Sequence, residues 1–387
     1  MYEFDNITNR YQGYSKKYHK YSADKNIIPL WVADMDFFVA PEIYSALEDT
    51  LTHRVFGYSI HQEKVKDSIA SYITSRYNYK ITENDVMWLP GLVAGINLAC
   101  RTLTNHGESI VAVTPSYPPF ISAAKYAERD IFTSALIESN NRWEINFAEI
   151  EEIIANPKNN VKLFLLCNPH NPTGRSWSRA ELIKLDEIAK KYDLFVCSDE
   201  IHSGLILDKT IKHIPFASLN EDAASRTVTL MAPTKTFNIA GLTCAYAIST
   251  SELIKQKYKS MMDGLYSNIN VFGVAACEAA LHDGDKWLEE LLNYLSINQD
   301  LVFNTVNSWE GFKAIKNEAT YLAWLDGREF AKKYNIDNLQ VFFENAGVGL
   351  SDGGEFFADG FLRLNFATSH ETLKNALIRM TNAISSI

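Results

Sequence analysis

From about residue 80 to residue 250 the chain alternates short apolar runs with longer amphipathic stretches, and this alternation limits its possible folds more than any other feature. The apolar runs are Val86–Leu89, Ile110–Val113, Ile131–Leu136, Val161–Leu166, Leu194–Ser198, Val228–Ala232 and Ala245–Ile248. Such short, nearly continuous apolar runs read as strands buried on both faces. Between them, Leu92–Leu103, Phe147–Ile154 and Ser178–Tyr192 carry the periodicity of helices packed on a sheet. Strands interleaved with helices predict an α/β fold with a mostly parallel central sheet covered on both sides. A smaller α+β unit is expected afterwards. It has a long helical pattern from Asp285 to Trp309, strand-like Tyr321–Leu325, helix-like Leu339–Ala346, strand-like Phe361–Phe366 and a last helix capped by Ser369. The expected division is a large domain over residues 45–284 and a small domain made of 1–44 and 285–387. The N-terminal segment shows no sheet signal of its own.

Three of the runs end in polar residues that are poorly placed for solvent. Val161–Cys167 leads into Asn168-Pro169-His170-Asn171-Pro172-Thr173-Gly174, Leu194–Cys197 into Ser198-Asp199-Glu200-Ile201-His202, and Val228–Ala232 into Pro233-Thr234-Lys235. Ligands bind open α/β sheets beyond the carboxyl ends of the strands, so these groups are candidates for one site. An amine, a carboxylate and an amide there suit a pyridine cofactor held covalently through lysine, with the carboxylate facing its ring nitrogen. A lysine becomes nucleophilic when burial or nearby positive charge strips its proton near neutrality. A surface lysine on a short loop is the plainer reading. Metal binding by Asp199, Glu200 and His202 is a rival, but no second His or Cys cluster has ligand spacing.

Other motifs join this set. Pro90-Gly91-Leu92-Val93 stands at a strand-to-helix turn, where free amides and the helix dipole suit a phosphate, although a tight turn needs no ligand to explain it. Tyr117, in the proline-rich Thr114–Phe120, can stack on a planar ring or fill the core. Asn171 can donate its amide to a phenolic oxygen. Arg363 lies within the apolar strand Phe361–Phe366, where it wants a carboxylate, from a substrate or from a structural salt bridge.

The net charge of −10 argues against nucleic acid as a partner. No run of about 18 apolar residues is present to span a membrane. The start Met1-Tyr2-Glu3-Phe4-Asp5 lacks the pattern of a secretory signal, so a cytoplasmic location is expected. The five cysteines form no C-x-x-C pair and read as reduced core thiols.

Together these segments resemble the fold type I pyridoxal-5′-phosphate enzymes of the class I/II aminotransferase superfamily, and more narrowly its cystathionine β-lyase, or C–S β-lyase, branch. The narrower likeness is carried by Pro29–Phe37, Phe56-Gly57-Tyr58, Thr114–Phe120, Asn168–Gly174, Ser198–His202 and Ala232–Leu242. The resemblance implies that Lys235 carries the cofactor and moves a proton, and that Asp199 pairs with the ring nitrogen. It implies that Tyr117 stacks on the ring and Asn171 bonds its 3′-oxygen, near His202. Leu92, Val93 and Thr234 would hold the phosphate, and Arg363 the substrate carboxylate, with Asn171 and Ala33 nearby. Tyr58 would reach the cofactor of a neighbouring subunit in a homodimer. The implied reaction is α,β-elimination of L-cystathionine, L-cysteine or L-cystine to pyruvate, ammonia and a thiol or hydrogen sulfide. Transamination by the same residues is the alternative. The chain departs from the broad aminotransferase pattern at His202, usually tyrosine, at Ala232, often serine, and at Thr243, often an arginine on the phosphate.

Overall fold

The computed structural model describes residues 2–21, 26–265 and 269–387. Seven strands form its central sheet: β1 (Val86–Leu89), β2 (Ser109–Thr114), β3 (Ile131–Ala135), β4 (Val161–Cys167), β5 (Phe195–Asp199), β6 (Thr227–Met231) and β7 (Ala245–Ile248). Their spatial order is β1-β7-β6-β5-β4-β2-β3. The pairs β2–β3, β2–β4, β4–β5 and β5–β6 are parallel. Strand β7 runs antiparallel to both its neighbours. The sheet is therefore mostly parallel, as the alternation predicts, with one reversed strand that apolar patterning alone does not mark.

Side chains alternate between two apolar layers. Ile110, Ala112, Leu163 and Leu165 point into one, together with Ile96 and Ala99 of the Leu92–Thr102 helix. Val111, Val113, Phe164 and Leu166 point into the other, together with Leu182 and Leu185 of the Arg179–Lys191 helix. Ser178 caps that helix with Glu181 in a reciprocal capping box, which fixes where it starts.

A second, four-stranded antiparallel sheet pairs Lys313–Ala314, Leu322–Asp326, Phe361–Asn365 and Ser351–Asp352. Asp285–Val306 and His370–Ser385 are its long helices, the latter capped by Ser369. The N-terminal segment does contain a strand, contrary to its sequence signal. Ile28–Pro29 pairs in parallel with Val348–Gly349, and the Asn365 amide donates to the Leu30 carbonyl at 2.9 Å. Two residues are too few to show a period. Phe4, Leu30, Phe37 and Ile43 share one apolar cluster with Leu291, Leu364 and Leu373, which seats this segment beside the second sheet.

Candidate active site

The sheet topology brings one edge of the molecule to a point. Strands β4, β5 and β6 run parallel, so the turns after them open on the same edge. Two antiparallel pairings separate β1 from β6, so β1 points the same way and its following turn joins them. A cavity of about 290 Å³ lies there. Lys235 and Thr234 enter it from the turn after β6, Asp199 and His202 from the end of β5, and Asn171 from the loop after β4. Leu92 and Val93 enter from the first turn of the helix after β1, Tyr117 from the loop after β2, and Arg363 from the second sheet. Ala33 closes the cavity from the N-terminal side. Two glycines allow the close approaches. A Cβ on Gly204 would stand 2.6 Å from Thr236 beside Lys235, and one on Gly174 would stand 2.4 Å from Asn317.

Tyr58 is the exception among the expected site residues. It is 98% exposed and lies outside this cavity, on a separate groove with Phe56, Ile269 and Phe272.

The electrostatics follow from burial. Lys235 donates its Nζ to the Ala33 carbonyl at 2.6 Å and, among the described residues, makes no ion pair. Burial, with the Arg363 charge adding to it, pulls its pKa down to about 8, against the pull of Asp34 and Asp199. Burial likewise raises Asp199 to about 7, with Glu200 adding to the rise and the Ile201 amide on Oδ1 opposing it. Burial lowers Arg363 to about 10. Its Nη1 donates to Asn171 Oδ1 at 3.1 Å and its Nη2 to the Trp31 carbonyl at 2.9 Å. Glu200 turns away from the cavity. Its carboxylate accepts from Ser198 Oγ and the Phe216 amide and meets His213 Nε2 at 2.7 Å. That excludes it from a shared metal set with Asp199 and His202.

His202 is kept neutral by burial, helped by Lys235 and Arg363, with its pKa lowered to about 3. A pKa lowered on folding contributes stability that is present above the unfolded value of about 6.5 and is lost as pH falls towards 3. In the cofactor-free chain, His202→Gln should therefore flatten the acid limb of stability against pH. Urea unfolding at several pH values checks this, and an unchanged acid limb would contradict it.

Several site residues carried no sequence signal. The Tyr321 hydroxyl donates to the same Ala33 carbonyl at 3.2 Å, and Asn365 Nδ2 donates to the carbonyls of Val32 and Asp34. Asn365 stands two residues after Arg363 on one strand face, a spacing that would have pointed to it. Cys167, read as a core thiol, also lines the cavity.

These residues fit a pyridoxal phosphate group. Asp199 and Lys235 line the cavity with no ion pair between them among the described residues, and His202 Nδ1 and Arg363 Nε are buried without hydrogen-bond partners. A Cβ on Gly91 would meet nothing within 4 Å, which leaves the helix start open to a phosphate. At that end the departure noted in the sequence is real. Thr243 brings no charge, and among the described residues Lys235 and Arg363 are the only Lys or Arg side chains lining the cavity. The fold and the site together define a fold type I pyridoxal-phosphate enzyme.

The family model for aminotransferase class I and II matches residues 25–380. The cystathionine beta-lyase PatB of Bacillus subtilis is 37% identical over 370 residues, covering 92% of each chain. The crystal structure of OvoB superposes with a TM-score of 0.95 at 39% identity, covering 100% of both chains. The PLP-bound C-S lyase of Staphylococcus hominis superposes with a TM-score of 0.92 at 30% identity, covering 99% of this chain and 98% of its own. The chain belongs to the class I and II aminotransferase family, in its PLP-dependent carbon–sulfur lyase branch.

Proposed function

We propose that the protein eliminates the β-sulfur substituent of L-cystathionine, with L-cysteine and L-cystine as further substrates. Cystathionine and water give homocysteine, pyruvate and ammonia. Cysteine and water give hydrogen sulfide, pyruvate and ammonia. The observation that carries this reading is Lys235, an amine lowered to about 8 and aimed into a cavity that also holds the Arg363 guanidinium. The choice of elimination is supported by the PatB and Staphylococcus hominis relatives, named for cystathionine and C–S lyase activity.

Bound pyridoxal phosphate supplies a carbonyl for amines and a ring that accepts charge from Cα. Lys235 would hold the group through its Nζ. The same Nζ is the base that would take the Cα proton, its reach set by the lysine side chain. The Ala33 carbonyl, which accepts from Nζ at 2.6 Å, would hold the resulting ammonium. Arg363 binds the α-carboxylate with its planar fork, oriented by Asn171 and by the Trp31 carbonyl. Asp199 would pair with the group's ring nitrogen, and a positive charge there would relieve the cost of its burial. Tyr117 would pack on the ring, and Asn171 and neutral His202 would hold its oxygen. The Leu92 and Val93 amides and the Thr234 hydroxyl would hold the phosphate.

The phosphate's missing local cation fits a homodimer in which Tyr58 reaches into the other subunit's cavity. Leu51, Val55, Phe56, Tyr58 and Ile60 form an exposed apolar stretch, 55 to 98% exposed, beside a groove of about 440 Å³. Light scattering should give twice the chain mass, and Tyr58→Ala should raise the dissociation constant of pyridoxal phosphate roughly tenfold or more. A monomer, or unchanged cofactor affinity, would contradict this. The five buried thiols are all free, which suits a reducing cytoplasm.

Purified enzyme given L-cystathionine and no keto acid should release pyruvate and free thiol in equal amounts. Activity that starts only when a keto acid is added would replace elimination with transamination.

A further inference from the structure

The 31–37 loop touches both cations of the cavity through neutral carbonyls. The Trp31 carbonyl accepts from Arg363 and the Ala33 carbonyl from Lys235. Asp34 is the next residue, and its charge acts on Lys235. Yet its carboxylate is engaged elsewhere. Arg10 Nη2 meets Asp34 Oδ2 at 2.7 Å, and Arg10 Nη1 meets Asp34 Oδ1 at 3.2 Å, Asp36 Oδ1 at 2.7 Å and the Met35 carbonyl at 3.1 Å. Lys17 Nζ meets Asp36 Oδ2 at 2.9 Å and Asp34 Oδ1 at 3.8 Å. Lys17 is 0% exposed and Asp36 4% exposed. A buried ammonium persists only with such partners. Burial alone would raise the Asp36 carboxyl, but Lys17 and Arg10 hold it below the usual range. From the other side, Asn238 accepts from the Met35 amide and donates to the Met35 and Phe37 carbonyls, which laces the loop to the Lys235 turn.

We propose that Arg10 and Lys17 are positioning residues of the active site, holding the loop by Asp34 and Asp36 so that it meets Lys235 with the Ala33 carbonyl and not with the Asp34 carboxylate. The proposal rests on Lys235 being the reactive lysine. A carboxylate in contact with Nζ would stabilise the ammonium and spoil it as a base near neutrality, whereas a neutral carbonyl orients it at smaller cost. The charged groups acting on Lys235 are Asp34 and Asp199, which favour the ammonium, and Arg363, which opposes it. Buried His202 is neutral, held so by burial with Lys235 and Arg363 adding to it. Tyr117 and Tyr321 are neutral as well, their pKa values raised by burial. Asp199 and Arg363 are fixed on strands β5 and Phe361–Asn365. Asp34 sits on a loop, so its reach to Lys235 depends on Arg10 and Lys17.

The test reads the Lys235 amine in the full chain freed of cofactor. The pH dependence of its acetylation by acetic anhydride is followed by peptide mass spectrometry. Arg10→Met should raise the midpoint by about one pH unit or more, leaving roughly a tenth of the free amine at neutral pH. Adding Asp34→Asn to Arg10→Met should bring the midpoint back down, and Arg10→Lys should restore part of the native value. If Arg10→Met does not fold, Arg10→Gln is read the same way, with the same direction expected. A folded Arg10 variant with an unmoved midpoint, or a double variant whose midpoint stays high, overturns the proposal. A merely structural Arg10 would lower the melting temperature without moving the midpoint. The titration does not involve substrate, so its failure is distinct from failure of the lyase reading.

Discussion

Lys235→Ala should abolish the visible absorbance of the lysine-bound cofactor and lower pyruvate formation from L-cystathionine by roughly 10⁴-fold, the upper range for losing a positioned base. The size of the effect comes from the lack of a substitute. Among the described residues, Lys235 and Arg363 are the only Lys or Arg side chains lining the cavity, and Arg363, lowered only to about 10, stays protonated at neutral pH. His202, lowered to about 3, is too weak a base to take the Cα proton. Absorption spectra and steady-state assays of the purified variant check this. A variant that keeps the native absorbance would contradict the assignment of Lys235.

Arg363→Ala should lower kcat/KM by about 2–4 kcal/mol, or roughly 30- to 1,000-fold, with substrates bearing an α-carboxylate. Two losses combine there. The substrate carboxylate loses a charge-assisted fork, and Asn171 Oδ1 loses its Arg363 donor, while the Trp31 carbonyl is left with Ser351 Oγ. Arg363→Lys keeps a charge but not the planar fork, so it should recover only part of the loss. Much of the effect should fall on KM, because the carboxylate is held in both ground and transition states. Unchanged kcat/KM in Arg363→Ala would rule out this role.

Much of the fold is legible in the chain because most central strands, the edge strand β3 excepted, are buried on both faces and so are largely apolar. The runs Val86–Leu89 and Ala245–Ile248 coincide with β1 and β7, and Ser178 and Ser369 start their helices as capping residues. The reversed direction of β7 left no trace, because apolar content does not encode polarity. Ile28–Pro29 left none either, since its pairing with Val348–Gly349 is written in backbone bonds. The cavity was legible where its residues sit at the ends of strands, as Lys235, Asp199 and Asn171 do. It was illegible where contacts run through main-chain carbonyls or distant hydroxyls, as for the Trp31 carbonyl on Arg363 and the Tyr321 hydroxyl on Ala33. The Arg10–Asp34 and Lys17–Asp36 pairs span 24 and 19 residues, with no local spacing to mark them.

The most direct test follows one turnover with enzyme and L-cystathionine in equal amounts and no keto acid, counts the small-molecule products in one portion, then reduces a second portion with borohydride and maps the cofactor by mass spectrometry. The account predicts one pyruvate and one homocysteine per active site, with the cofactor recovered as a reduced adduct on Lys235. Recovery of the cofactor as pyridoxamine phosphate, beside a keto acid that keeps the carbon–sulfur bond, would contradict it.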